Sequence, residues 1–245
     1  MLRYSFYIVN LILFDSKSKS QILARSDLRC RHLLEVLGSS QGKSFRAGVI
    51  NGPVGIGVIN EINSQFVKLS FNWDEEKLSE DDITVVVGFP RPQIARKILF
   101  HAATLGCREI NFVQTELSDP NYSKSKLWTT IEWKRHLIDG LQQARATMIP
   151  KVTWDQTLEN FLKYKLPKTS YIVLDNNRLS VRLSKHRIKL PIVMAIGPER
   201  GWTDRERKLF QRYSFEFCSI GDRILRVETA CIASLSIVKS KLGKM

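Results

Sequence analysis

The chain has 245 residues, 43% of them hydrophobic, which suits one large folded domain or two modest ones and argues against disorder. Lys and Arg number 38 against 24 Asp and Glu, so the formal net charge is +14. This excess favours a polyanionic partner, either nucleic acid or an anionic membrane surface, although a soluble protein that is merely basic stays open.

Cysteine and histidine spacing gives no sign of a disulfide framework or a zinc site. The four cysteines are far apart and form no C-x-x-C pair, and the four histidines lack the spacing of metal ligands. We therefore expect a reducing, cytoplasmic environment and no metal. The cysteines are Cys30, Cys107, Cys218 and Cys231.

The first 74 residues predict a small, partly closed β-barrel. The apolar stretch Tyr4–Phe14 is too short to span a bilayer and is followed by charged residues, so it predicts a buried strand and not a signal peptide. Strands are expected at Phe45–Ile50 and Val54–Ile59, because Asn51-Gly52 between them is typical of a tight hairpin turn. A helix is expected from Arg25 to Leu37, and a further strand contains Phe66, Leu69 and Phe71.

An acidic link at Asp74–Asp82 separates this region from a second region with a different sequence pattern. We place the domain boundary there, which gives a β-domain at 1–74 and a second domain at 75–245. Strands and helices alternate in the second domain and predict a mostly parallel sheet covered on both faces. Strands are expected at 83–89, 109–114, 171–175, 192–197 and 215–220.

Three helices of the second domain have readable signals. Pro92 opens one whose apolar face carries Ile94, Ile98, Ala102 and Leu105 before Gly106 ends it. A long amphipathic helix is expected over 128–148, with Ile131, Ile138 and Leu141 on one stripe. The last helix is expected over 227–242. A further helix start is indicated by Thr203 and Glu206, which have the spacing of a capping box.

Three segments that follow strands are the candidates for chemistry, since ligands of parallel sheets lie beyond the carboxyl ends of the strands. They are Leu174–Asn177, Ile196–Trp202 and Ile220–Ala230. Each alone is explained equally well as an ordinary turn. Together they offer glycines that let a backbone approach a flat ring, and Arg226, which can stabilise a developing anion.

The same segments resemble a known family. "AIGPERGW" followed by "IGDRILRVETA" resembles the ribosomal RNA small-subunit methyltransferase E family, whose members methylate N3 of a uridine in 16S ribosomal RNA. "RHLLEVL", "GFPRPQIARKILFHAATLGCREI" and "GLQQARATMIP" resemble further segments of that family, so the likeness covers nearly the whole chain.

The resemblance implies a SPOUT-type α/β catalytic domain with a trefoil knot, a PUA-like N-terminal barrel and a homodimer. It also implies S-adenosylmethionine as the cofactor and the small ribosomal subunit as the partner, with no membrane and no metal. Carried over by position, Arg226 contacts the uracil as the catalytic residue. The cofactor-binding residues fall on Leu174, Asp175, Ile196, Gly197, Pro198, Glu199, Gly201, Ile220, Gly221, Ile224, Leu225 and Ala230. The group that removes the uracil proton stays open between Glu199, Asp222, Glu228 and a water.

Arg200 departs from the family, which usually has glycine at this position. If the position needs a positive φ angle, arginine costs roughly 1 kcal/mol or more. Alternatively, its side chain points outward to an RNA phosphate, which is the hypothesis we favour. Eight basic residues are expected to bind RNA: Arg25, Arg29, Arg31, His32, Arg91, Arg96, Arg145 and Arg200.

Three other functions compete with this interpretation. One is a methyltransferase for another RNA such as transfer RNA, and a second is an RNA-binding or assembly protein that has lost catalysis, which the Arg200 replacement motivates. A nucleotide-binding oxidoreductase is disfavoured, because no G-x-G-x-x-G motif follows a strand. The glycines from Gly52 to Gly57 have the wrong spacing and lie in the β-domain.

Overall fold

The apolar runs of the first 74 residues form a five-stranded mixed sheet in the computed structural model, which describes residues 11–74, 81–164, 169–176 and 180–245. Its order is β1-β3-β4-β5-β2, with β1 parallel to β3 and the other pairs antiparallel. The predicted hairpin and the strand after it are confirmed, whereas β2 was not predicted. The strands are β1 (Ile12–Phe14), β2 (Ser20–Ala24), β3 (Ser44–Val49), β4 (Val54–Ile62) and β5 (Phe66–Trp73).

Close packing explains two of the glycines in β4. A Cβ atom on Gly57 would lie 2.3 Å from the ring of Phe45, and one on Gly55 would lie 2.3 Å from the carbonyl oxygen of Asn72. In the hairpin turn only Asn51 takes a positive φ, of 56°. The sheet therefore needs these glycines for the approach of neighbouring strands, and the turn depends on asparagine for its left-handed residue.

The predicted helix over 25–37 is shorter and less regular than expected. Asp27 caps it, since its carboxylate accepts a 2.8 Å hydrogen bond from the backbone N–H of Arg29. The helix α1 (Leu28–Arg31) is followed by one wide turn of π type at His32–Val36. Residues 25–27 thus lie before the helix, because the cap fixes where it begins.

The second part of the chain contains a seven-stranded sheet in which every pair is parallel, as predicted. Its order is β10-β12-β9-β11-β6-β7-β8, so the fully buried β11 lies between β9 and β6. The two edge strands β8 and β10 were not predicted. The strands are β6 (Asp81–Gly88), β7 (Cys107–Gln114), β8 (Lys151–Thr157), β9 (Ser170–Leu174), β10 (Val181–Arg182), β11 (Ile192–Ile196) and β12 (Glu216–Ser219).

In the described ranges six α-helices accompany this sheet, and the single long helix predicted over 128–148 is wrong. The backbone is extended at Thr130, so the region contains two helices, α3 and α4, in place of one. Ile131 lies in this break with 80% of its surface exposed, whereas Leu141 of the predicted stripe is buried. The helices are α2 (Pro92–Thr104), α3 (Lys126–Thr129), α4 (Glu132–Ala144), α5 (Leu158–Lys163), α6 (Asp204–Arg212) and α7 (Val227–Lys241).

The buried face of α2 is displaced from the predicted one. Ile98 and Ala102 are buried as expected, but Ile94 and Leu105 are only half-buried. The rest of the buried face consists of Ala95, Leu99 and Ala103.

The capping box of α6 is confirmed. The hydroxyl of Thr203 accepts a 3.2 Å hydrogen bond from the N–H of Glu206, whose carboxylate accepts a 2.8 Å bond from the N–H of Thr203. The second oxygen of Glu206 accepts a bond from the N–H of Glu116 at 2.9 Å. This buried carboxylate fixes the start of α6 and with it the end of the preceding loop.

By its internal contacts the chain divides into two compact units. The described part of the first is residues 11–74 with 141–149, and that of the second is 81–140 with 150–164, 169–176 and 180–245. Within the first unit, the hydroxyl of Thr147 donates to the carbonyl of Gly52 at 2.7 Å, and the N–H of Asn51 donates to the carbonyl of Thr147 at 2.8 Å. The predicted link at 74–82 lies largely outside the described residues.

Across the described ranges, every helix is too short or too polar to cross a membrane.

Candidate active site

The described parts of the three candidate segments meet at one edge of the parallel sheet, whereas Asn177 lies outside the described residues. Strands β12, β9 and β11 are neighbours, so the segments that follow them lie side by side around a cavity of about 830 Å³. Gly221 instead lines a smaller neighbouring pocket with Arg182 and Asp222. The remaining predicted cofactor-binding residues all line the larger cavity: Leu174, Asp175, Ile196, Gly197, Pro198, Glu199, Gly201, Ile220, Ile224, Leu225 and Ala230.

The loop after β11 is a tight turn whose left-handed residue is Gly201. The carbonyl of Pro198 accepts a 2.9 Å hydrogen bond from the N–H of Gly201, and Gly201 has a φ of 70°. Arg200 lies outside the left-handed region, so its backbone carries none of the strain considered from the sequence. At the base of the loop, a Cβ on Gly88 would come within 2.4 Å of Pro198 Cδ.

Two side chains outside the predicted cofactor-binding set contact the first segment. The indole nitrogen of the buried Trp202 donates to the carbonyl oxygen of Leu174 at 3.1 Å. Arg207 of α6 donates from Nε to the carboxylate of Asp175 at 2.6 Å, and this hydrogen bond raises the pKa of the guanidinium. No local sequence pattern indicates this pairing, because Arg207 and Asp175 are 32 residues apart.

The third segment brings Arg226 to the cavity. Arg226 is the N-cap residue of α7, and its exposed side chain lines the cavity beside Ile224, which is 92% exposed. Three more exposed arginines line the same cavity at Arg91, Arg200 and Arg223. Within the described residues, none of the four guanidiniums forms an ion pair, so the rim carries uncompensated positive charge.

The three acids that the sequence left open as proton acceptors are in different environments. Glu199 is exposed and accepts a 3.0 Å hydrogen bond from the backbone N–H of Arg91. Asp222 has a side chain 92% exposed, pairs with Arg182 and lies outside the larger cavity. Glu228 is buried, lines the cavity and pairs with Lys97.

Comparison with known proteins agrees with this geometry. The family described as RNA methyltransferase domain matches residues 76–239. Ribosomal RNA small subunit methyltransferase E of Treponema pallidum is 32% identical over 94% of this chain and 90% of its own length. The chain belongs to the ribosomal RNA small subunit methyltransferase E family. A second member, ribosomal RNA small subunit methyltransferase E 1 of Borreliella burgdorferi, is 31% identical over 97% of this chain and all of its own length.

Solved structures share the fold across nearly the whole chain. The ribosomal RNA small subunit methyltransferase E of Neisseria gonorrhoeae, bound to S-adenosyl methionine, has a TM-score of 0.80 at 20% identity, covering 95% of this chain and 97% of its own. A methyltransferase of Legionella pneumophila in complex with the same cofactor has a TM-score of 0.81 at 21% identity, with equal coverage.

The basic residues expected to bind RNA do not form one cluster in this ribosomal RNA methyltransferase E family member. Arg91 and Arg200 line the cavity, whereas Arg96 pairs with Glu132 at 2.6 Å. Arg29 pairs with Asp27 at 2.8 Å and lies over the ring of Phe14. The others lie in the first unit, where Arg25 and Arg31 are exposed, His32 is half-buried and Arg145 follows α4 with a positive φ of 54°.

The cysteines offer no reactive thiolate. All four are free and buried, and burial raises the pKa of Cys107 and of Cys218, which lines the cavity, to about 12. Such thiols stay protonated at neutral pH and are poor nucleophiles. No group of His, Cys, Asp and Glu suited to a metal ion occurs in the described ranges.

Proposed function

We propose that this protein transfers the methyl group of S-adenosylmethionine to N3 of a uridine in the 16S ribosomal RNA of the small subunit. The observation that carries the proposal is the convergence of the three segments on one cavity whose rim holds Arg226 and three further unpaired arginines. Membership of the methyltransferase E family supports the ribosomal RNA of the small subunit as the substrate.

The cavity suits a nucleoside ligand of this kind. Its volume of about 830 Å³ is within the usual range for cofactor sites, and its walls combine apolar side chains with backbone at glycine. Leu174, Ile196 and Leu225 offer apolar surface to a flat base, and Gly197 and Gly201 keep the backbone accessible. The predicted cofactor-binding residues, Gly221 included, are the groups we assign to this ligand, which supplies an electrophilic methyl group when bound.

The protein has two tasks in this reaction. It must hold N3 of the uracil in line with the methyl group, and it must stabilise the base as its proton leaves. Arg226 suits the second task, because its fixed charge and N–H groups lie at the cavity, at the N-cap of α7. A base inside a folded RNA reaches such a cavity only when it is turned out of its stack.

The rim arginines suit the flanking phosphates of a nucleotide turned into the cavity. Arg91, Arg200, Arg223 and Arg226 have no carboxylate partners in the described structure and are exposed. We assign a supporting RNA surface to the first compact unit, with Arg25, Arg31, His32 and Arg145. Arg29 and Arg96 also belong to the proposed RNA-binding set, although their ion pairs must rearrange or share the phosphate.

Finer features of the architecture belong to the same proposal. We propose a trefoil knot of the SPOUT type around the three segments, and a PUA-like barrel for the first domain at 1–74, before the catalytic domain at 75–245. We also propose that the protein is a homodimer in the cytoplasm. The seven-stranded parallel sheet and the curled mixed sheet are the observations that support these assignments.

The test is methyl transfer from labelled S-adenosylmethionine to small ribosomal subunits isolated from cells that lack the gene. We expect one methyl group per subunit, mapped by mass spectrometry to N3 of a single uridine. Bulk transfer RNA is tested in parallel. Methylation of transfer RNA in place of the subunit would favour the alternative of a transfer RNA methyltransferase. Failure to bind the cofactor while RNA affinity is retained would favour the RNA-binding protein that has lost catalysis. The φ angle of Arg200 no longer motivates that alternative, because it lies outside the left-handed region.

A further inference from the structure

Among the three acids considered as proton acceptors, Glu228 is the one that is both buried and at the cavity. It is the second residue of α7, two positions after Arg226, and its side chain is 9% exposed. Its Oε1 atom accepts a hydrogen bond from Lys97 Nζ at 3.2 Å. Glu199 and Asp222 are exposed to solvent, which can satisfy both of their oxygens.

The second oxygen of Glu228 lacks a partner. Among the residues that the structure describes, no donor reaches Oε2, although this atom is buried and its side chain lines the cavity. Buried carboxylate oxygens are nearly always hydrogen-bonded, because an unsatisfied one loses its water without compensation. An ion pair that merely joined α2 to α7 would need only Oε1, so Oε2 is available for a donor that enters the cavity.

We propose that Glu228 takes the N3 proton of the target uracil, an inference that rests on the proposed function. The N3–H bond breaks and its proton passes to Oε2, which leaves the electron pair on N3. That pair forms the new bond to the methyl carbon while the carbon–sulfur bond breaks with its electrons to sulfur, giving a neutral thioether. The protonated Glu228 then releases the proton to solvent.

Arg226 and Lys97 have separate roles beside Glu228. Arg226 compensates the negative charge that the uracil gains as the proton leaves, and Lys97 fixes the orientation of the Glu228 carboxylate through Oε1. The N-terminal end of α7 thus presents a cation at its N-cap and a proton acceptor two residues later, both lining the cavity. Acceptance of a hydrogen bond from N3 also favours uracil, because cytosine carries no proton on N3.

The experiment compares Glu228→Gln with the wild-type protein in single-turnover methylation of small subunits. Glutamine has the same shape but cannot accept the proton, so we expect the rate at neutral pH to fall by about 10²–10⁴-fold. Cofactor and RNA dissociation constants should stay within about twofold. Asp222→Asn is the matched control, and its rate should remain near that of the wild type, since Asp222 lies outside the cavity.

Two further measurements separate proton transfer from a structural role. Ribosomal RNA containing 5-fluorouracil has a more acidic N3, so the ratio of variant to wild-type rate should rise on this substrate. Added formate should restore part of the activity of Glu228→Ala, which removes the carboxylate without a substitute. A structural loss would respond to neither.

The outcomes are distinguishable from failure of the proposed function. If the wild type methylates the subunit and Glu228→Gln does so equally fast, the proton assignment is wrong while the function stands. A loss in Glu228→Gln that is explained by weaker cofactor binding overturns the assignment as well. If the wild type transfers no methyl group to ribosomal RNA, the proposed function is wrong, and the assignment to Glu228 with it.

Discussion

Arg200 shows how one backbone angle separates two hypotheses that the sequence leaves open. Its φ lies outside the left-handed region, and the neighbouring Gly201 takes the φ of 70° that the turn requires. Arginine at 200 is therefore compatible with an intact loop, and its exposed side chain is free to serve the rim of the cavity. The family departure at this position does not argue against catalysis.

Replacement of Arg200 by alanine should weaken RNA binding while cofactor affinity stays unchanged. Loss of one phosphate contact to single-stranded RNA should lower the slope of log affinity against log salt concentration by roughly 0.7. RNA affinity measured from low to high salt, together with calorimetric titration of the cofactor, checks both expectations. Arg212→Ala, at an exposed site on α6 away from the cavity, is the control. Equal RNA affinity in Arg200→Ala and the wild type would exclude the phosphate contact.

Residue-level prediction from the sequence had a clear physical limit. The strand ends at Leu174, Ile196 and Ile220 were readable, because apolar runs mark buried strands and ligands gather beyond their carboxyl ends. The partner of each side chain was not readable, since Arg207 and Asp175 are 32 residues apart. The unsatisfied oxygen of Glu228 depends on packing in the same way and becomes visible only in the structure.

Element-level prediction succeeded where one periodicity dominates. The sequence predicts β6, β9 and β11, which contain runs of apolar residues. It does not predict β8, which is mostly polar and has only Val152 and Trp154 as apolar residues. The predicted helix over 128–148 failed at Thr130 and Ile131, where an extended residue interrupts an otherwise helical pattern. Average periodicity does not register a break of two residues, because the apolar residues on both sides still fit one stripe.

The end of α7 is tied to the start of β6 by a carboxylate whose protonation should matter for stability. Asp81 pairs with Lys239 at 2.9 Å and with Lys244 at 2.5 Å. Burial raises the pKa of this carboxyl, but the hydrogen bonds and charges of the two lysines outweigh it, so the pKa lies below its ordinary value of 3.8. The ionised form is therefore stabilised in the folded protein.

A depressed folded-state pKa contributes stability at pH values above the unfolded-state pKa, and this contribution is lost as the pH falls through the folded-state value. We expect Asp81→Asn to unfold at a lower urea concentration than the wild type at pH 6, with the difference shrinking below pH 4. Urea unfolding followed by circular dichroism at several pH values measures it. Asp82→Asn, whose partner Arg108 is exposed, is the matched control and should show a smaller change. A difference that persists unchanged at acidic pH would show that Asp81 does not act through its charge.

At the scale of the whole molecule, the net charge of +14 and the four unpaired arginines at the cavity point to RNA binding that is dominated by phosphate contacts. Each neutralised phosphate of a single strand contributes roughly 0.7 to the salt slope, so the rim alone predicts a slope of about −3 for log affinity against log salt. Contacts from the first domain would make the slope steeper.

This prediction is tested by filter binding or fluorescence anisotropy with a ribosomal RNA fragment between low and physiological salt. Cofactor affinity measured in the same buffers is the internal control, because the cavity walls that we assign to the cofactor are largely apolar or backbone. An RNA affinity that stays flat across salt would mean that the positive rim does not meet phosphates. Recognition would then have to rest on base contacts, and the four arginines would be ordinary solvated side chains around a cofactor site.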